Sequence, residues 1–182
     1  MQFIRIVILC VLAAVAYGVI HDQITARICI EYFTIGHRRI ITSTSPTMLA
    51  LAWGVVATWW MGVLLGVPLA ICARAGRWPR LTAEDLHRRI VIVLLVMLVL
   101  ASVSAMTGRI LAVNHRVWLV GRIARELPPE RHVDYLTAMW SHLASYAAGS
   151  LGGVYLCIAA LRMRKVVSKK DAQSAASTAE SA

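Results

Sequence analysis

Residues 90–108, IVIVLLVMLVLASVSAMTG, run without one charged side chain, and their reading decides the fold. A helix rising 1.5 Å per residue needs about 20 apolar residues to cross ~30 Å of hydrocarbon. No water reaches stray backbone groups there, so the stretch must close its own hydrogen bonds, which a helix does. The run extends to about Ala112, with Arg109 near one end, where its side chain can snorkel to the headgroups. Upstream, Thr82 with Glu84 and Asp85 has the form of a helix N-cap, its acids in the first turn against the dipole. The spacing predicts a membrane span over about 90–112.

Three more stretches read the same way. Toward the N-terminus, Ser45-Pro46-Thr47 places a cap and a first-turn proline ahead of a span over about 47–73. Gly62 and Gly66 give it a face for close helix packing, and Pro68 is expected to kink it near its inner end. The first span covers about 3–20. Arg5 and the small residues Ala13 to Ala16 also suit a signal peptide, but the run is long for one, and an uncleaved span is the expectation. Toward the C-terminus, Leu127-Pro128-Pro129-Glu130 precedes a helix whose spanning part is about 139–161 and whose first two turns project beyond the membrane. The fold class is therefore all-α: residues 1–170 form a four-helix transmembrane bundle with a small extracytoplasmic cap. Residues 171–182, rich in Ala and Ser without an aromatic, are expected as a disordered cytoplasmic tail. A mean hydropathy of +0.68 agrees, and no ten-residue alternation suggests a β-barrel.

The net charge of +10 is not a nucleic-acid signature, because the 19 Lys and Arg flank apolar runs instead of forming one stripe. They suit lipid headgroups, so the lipid bilayer is the first partner. Eleven of them, including Arg162, Arg164, Lys165, Lys169 and Lys170 after the last span, fall on the side of the termini. That bias places both termini in the cytoplasm, as in a bacterial inner-membrane protein. Cys10, Cys72 and Cys157 fall within spans or at a span end and read as small apolar filler; Cys29, in an outer loop, has no disulfide partner on its side.

Five of the six histidines, His21, His37, His115, His132 and His142, map to the outer loops or outer span ends. His132, Tyr135, Met139, His142, Tyr146, Gly149 and Gly153 recur at three-then-four spacing, so they share one stripe of span four. Gly149 and Gly153 form its helix-packing end. Tyr17, His21 and Thr25 share a face of the first helix if it continues past Ile20. Packed side by side, these helices bring His21 and His142 together, with Asp22, Glu31 and His37 nearby. Imidazoles and carboxylates are the ligands a divalent transition metal takes, so His21, Asp22, His37 and His142 are candidate metal ligands and Glu31 a candidate catalytic base. The alternative is plain: His and Tyr also line membrane interfaces with their polar tips wet.

Loop one, His21-Asp22-Gln23-Ile24-Thr25-Ala26-Arg27 through Glu31-Tyr32-Phe33-Thr34-Ile35-Gly36-His37, is too dense in functional side chains for a mere connector. Arg27 and Glu31, four apart, are placed to pair on a helix. With Trp140-Ser141-His142-Leu143-Ala144-Ser145-Tyr146, this segment resembles a group of uncharacterised bacterial four-span membrane proteins. The resemblance covers span one to span four. It implies the span count and a bacterial membrane, and no functional residue.

Trp118, in loop three, falls among arginines and reads as an interfacial anchor or part of a surface helix. Trp59 and Trp60 fall near mid-membrane, where bulky packing is the stronger reading and a lipid or quinone groove the other. Three functions remain open. The first is a non-enzymatic membrane component binding a lipid, another membrane protein or a second copy of itself. The second is a metal-dependent outer site, hydrolytic or metal-handling. The third, a small channel or transporter, is disfavoured because no span carries a charge at its centre.

Overall fold

The computed structural model describes the backbone of residues 1–180. Helix α1 (Gln2–Ile28) forms the first span; a single turn, α2 (Glu31–Thr34), opens the cap. The second span consists of α3 (Pro46–Val56) and α4 (Trp59–Arg74), the third is α5 (Ala83–Val113), and a short α6 (Gly121–Glu126) lies in loop three. After a 3-10 turn at Pro129–Arg131, α7 runs from His132 to Glu180. Four helical segments are long and apolar enough to cross a membrane, and the protein is an all-α multi-pass membrane bundle.

Thr82 and Asp85 close a reciprocal capping box at the start of α5: the Thr82 backbone N–H donates to Asp85 Oδ2 (2.7 Å) and the Asp85 N–H to Thr82 Oγ1 (3.4 Å). The second span is broken into two helices. Pro68 sits inside α4 without ending it, and the break falls at Ala57 and Thr58. There the Thr58 hydroxyl donates to the Gly54 carbonyl, competing with the backbone ladder.

The bundle is two antiparallel hairpins, α1 with α3–α4 and α5 with α7, joined by contacts of α4 with α7 and of α1 with α5. In the first hairpin backbones touch. A Cβ on Gly54 would lie 2.6 Å from Val19 Cα, and one on Gly62 would lie 2.5 Å from Val11 Cα, so neither position admits a side chain unless the helices separate. Gly66 continues this seam against Cys10. Gly149 and Gly153 act differently from the expectation. They receive side chains, Met97 from α5 and Leu65 from α4, because small residues here make room for long ones and do not bring backbones together.

Two terminal features also differ. Arg164, expected as part of a basic stop, is 1% exposed, and its guanidinium donates to the carbonyls of Cys72, Ala75, Trp78 and Pro79 at 2.7–2.9 Å. From Asp171 the backbone continues as helix through Glu180 instead of an irregular tail, in keeping with its alanines; Ser181 and Ala182 lie outside the described residues.

Candidate metal centre at the cap end

Helix α1 does not stop at Ile20. Two further turns carry His21, Asp22 and Thr25 into the bundle, where all three are buried. Helix α7 brings Ser141, His142 and Ser145 against them. His21 Nδ1 lies 3.2 Å from Asp22 Oδ1, and His21 Nε2 lies 3.0 Å from Ser141 Oγ. The imidazole rings of His21 and His142 meet edge to face at 4.5 Å between centroids. One turn deeper, the Tyr17 hydroxyl and Ser145 Oγ are 2.8 Å apart.

Asp22 is 4% exposed, and among the described residues no Lys or Arg pairs with it. Its neighbours are the two histidines, His142 Nε2 at 3.9 Å. That nitrogen is buried without a hydrogen-bond partner. A buried polar atom left unpaired costs about 1–3 kcal/mol, so its persistence calls for an explanation. One ligand atom each from His21, Asp22 and His142 lies within 4.8 Å of the other two. A transition metal binds such donors at about 2 Å, which sets tetrahedral ligands about 3.3 Å apart, so side-chain rotations that draw the most distant pair about 1.5 Å closer would complete the set. With Nδ1 on a cation, His21 carries its proton on Nε2, where Ser141 Oγ is placed to accept it.

Glu31 and His37 are not among these converging ligands, although His37 shares the wall of a cavity with Asp22 and His142. Arg131 holds both Glu31 oxygens (3.0 and 3.2 Å), and the Cys29 thiol donates to Oε2 at 3.3 Å. The expected Arg27–Glu31 pair is absent: Arg27 instead donates to Gln23 and to the Thr47 hydroxyl. Arg131 reaches Glu31 from the other end of the chain and also binds Asp134 and the Ile28 carbonyl, tying α1, α2 and α7 into one cap. Burial opposes ionisation of Glu31, but the Arg131 hydrogen bonds and charge outweigh it and hold the carboxyl below the ordinary range. Burial pushes the Cys29 thiol up to about 11, so it remains a protonated donor. His37 Nδ1 donates to the Tyr32 carbonyl at 2.7 Å. His132 is spent on the Leu127 carbonyl, and His115 adopts a left-handed turn (φ 53°) at the exposed end of α5.

Sequence reasoning missed Tyr32, whose ring stacks on His142 at 4.4 Å and 16°, and the hydroxyls of Ser141 and Ser145. The serines were detectable, since they flank His142 on the turn facing α1. Two cavities meet at His142. One of about 120 Å³ runs into the bundle from Tyr17 and His21 down to Cys10 and Leu156. The other, about 270 Å³, lies beneath the cap between α3–α4 and α7. Comparison with models of protein families, with curated proteins and with solved structures finds no match to this chain.

Proposed function

We propose that this multi-pass membrane protein binds a divalent transition metal through His21, Asp22 and His142. The observation that carries this reading is the convergence of two imidazoles and an otherwise unpaired buried carboxylate, with His142 Nε2 left free. Two histidines and one carboxylate leave coordination positions open, as zinc hydrolases and non-haem iron sites do. A cation held there supplies Lewis acidity to a bound water or carbonyl. Glu31, engaged by Arg131, is not offered as its base; the triad itself, Ser141 and the adjoining cavities supply the surroundings. Partner or lipid binding was the first expectation from sequence; the convergence of His21, Asp22 and His142 is what favours the metal. The excess of Lys and Arg at the terminal end supports cytoplasmic termini, which puts the metal site at the outer face of a bacterial inner membrane.

The test is metal analysis of detergent-purified protein after loading with Zn²⁺ or Co²⁺ and dialysis. Wild type should retain about one equivalent, and His142→Ala and Asp22→Asn should lose it. Cobalt should give a ligand-field spectrum in wild type alone. Equal retention by wild type and a His21→Ala/His142→Ala double variant removes the proposal.

A further inference from the structure

The cavity beneath the cap contains a second set of features that the metal triad does not account for. Its walls are mostly rings: Tyr32, Phe33 and His37 from the cap, Trp53 and Trp60 from the broken second span, and Tyr146 from α7. Trp53, one of these rings, has its Nε1 buried with no hydrogen-bond partner among the described residues. Indole nitrogen is a donor only, so it requires an acceptor, and none of the protein's own is within reach. The rings around it are already in contact: Trp53 against His37 at 5.1 Å, His37 against Tyr32 at 4.8 Å, and Tyr32 on His142. Among the described residues the Tyr32 and Tyr146 hydroxyls have no hydrogen-bond partner either. The site thus offers flat apolar walls and unspent N–H and O–H donors.

Val56 and Trp60 line the cavity and remain 46% and 45% exposed on the flank of the second span, beside the break at Ala57. That flank faces hydrocarbon in a spanning helix. A ligand reaching the cavity this way comes from the bilayer, with a tail free to remain there. At about 270 Å³ the space is near the lower end of small-molecule pockets (~300–1,000 Å³) and suits one ring, not a ring and its chain.

We propose that this cavity binds the head ring of an isoprenoid quinone, with a ring carbonyl accepting from Trp53 Nε1 and the tail leaving past Val56 and Trp60. A planar dione meets each requirement: aromatic faces for the walls, acceptors for the donors, and a long apolar chain for the lateral opening. A bare acyl chain leaves the indole N–H unpaired. A quaternary ammonium suits aromatic walls and Asp22, but it brings no acceptor and sets a cation beside two histidines. The cavity shares Asp22 and His142 with the metal reading, but its proposed donor, Trp53, is not a candidate ligand and His21 does not line it.

The experiment uses the full chain in nanodiscs of synthetic quinone-free lipid, titrated with decylubiquinone while tryptophan emission is followed. Saturable quenching is expected with the quinone and none with decylbenzene, which has the tail and ring without carbonyls. Trp53→Phe, which keeps a ring but removes the donor, should weaken the apparent Kd about tenfold, the worth of one hydrogen bond. Val56→Trp, which narrows the opening without touching the donor, should weaken it as well, and far-ultraviolet circular dichroism verifies that both variants retain their helix. Metal content is read separately on the same preparations, and chelator-treated wild type should bind quinone with the same Kd, so the two proposals fail separately. Quenching that rises linearly without saturation overturns the inference. So does an unchanged Kd in both Trp53→Phe and Val56→Trp, or saturation by choline-headgroup lipid in place of quinone.

Discussion

The terminal end and the cap end of this bundle treat buried charge in opposite ways. At the terminal end, Arg164 has no carboxylate partner among the described residues, yet its guanidinium is fully used by four backbone carbonyls. Two of these, from Cys72 and Ala75, lie where α4 ends and its last carbonyls lack helical partners, so the helix dipole favours the cation. At the cap end Asp22 is equally buried, but its neighbours are two imidazoles, one of them with an unpartnered nitrogen. A saturated site resists change and reads as structural. An under-satisfied one has capacity left for something the chain does not itself supply, which is why the candidate function lies at the cap.

That contrast can be broken by substitution. The largest stability effect should come from Arg164→Ala, which strands several carbonyls at once and should cost about 3 kcal/mol or more. Arg164→Lys should recover only part of this, since an ammonium cannot reproduce the planar fork. Thermal unfolding in detergent measures both, and a wild-type midpoint for Arg164→Ala contradicts the clamp. His142→Phe should have the opposite profile. It keeps a ring against Tyr32 and removes an unpaired nitrogen, so stability should shift by no more than about 1 kcal/mol while metal retention is lost. A large loss of stability instead means that His142 is structural.

The smallest effect concerns pH and the cap. Because the folded carboxyl of Glu31 is held below its ordinary value, its contribution is fully present above the usual carboxylate range and fades as pH falls through the depressed folded value. Hydrogen exchange in α2 and at the start of α7 should therefore accelerate in acid, and Glu31→Gln should flatten that dependence. Acceleration of the same size in the variant assigns it to other groups.

Much of the architecture was legible because each span is a local property. The run from Ile90, the capping box at Thr82 and the apolar stretches around it are read one helix at a time. The shared face of Tyr17 and His21 was also legible, as helical periodicity extends through α1. The break at Ala57 was not, because a proline stood in the same span as the more obvious cause while the acting group was a threonine hydroxyl on the carbonyl four residues back. Gly149 and Gly153 show the same limit from another side. Glycine spacing signals room, and only the neighbouring helix decides whether a backbone or a side chain takes it.

The sequence by itself determined that four helices cross a membrane and that histidines gather at one boundary, since hydropathy and helical period act within a segment. Only the tertiary structure decided which of those histidines meet. It paired Glu31 with Arg131 in place of Arg27, buried Arg164 among carbonyls, and set His21, Asp22 and His142 together with Trp53 beside them. The reason is that partner choice among polar groups depends on distances of a few ångströms between helices far apart in the chain. Spacing along one helix carries no record of its rotation against the next.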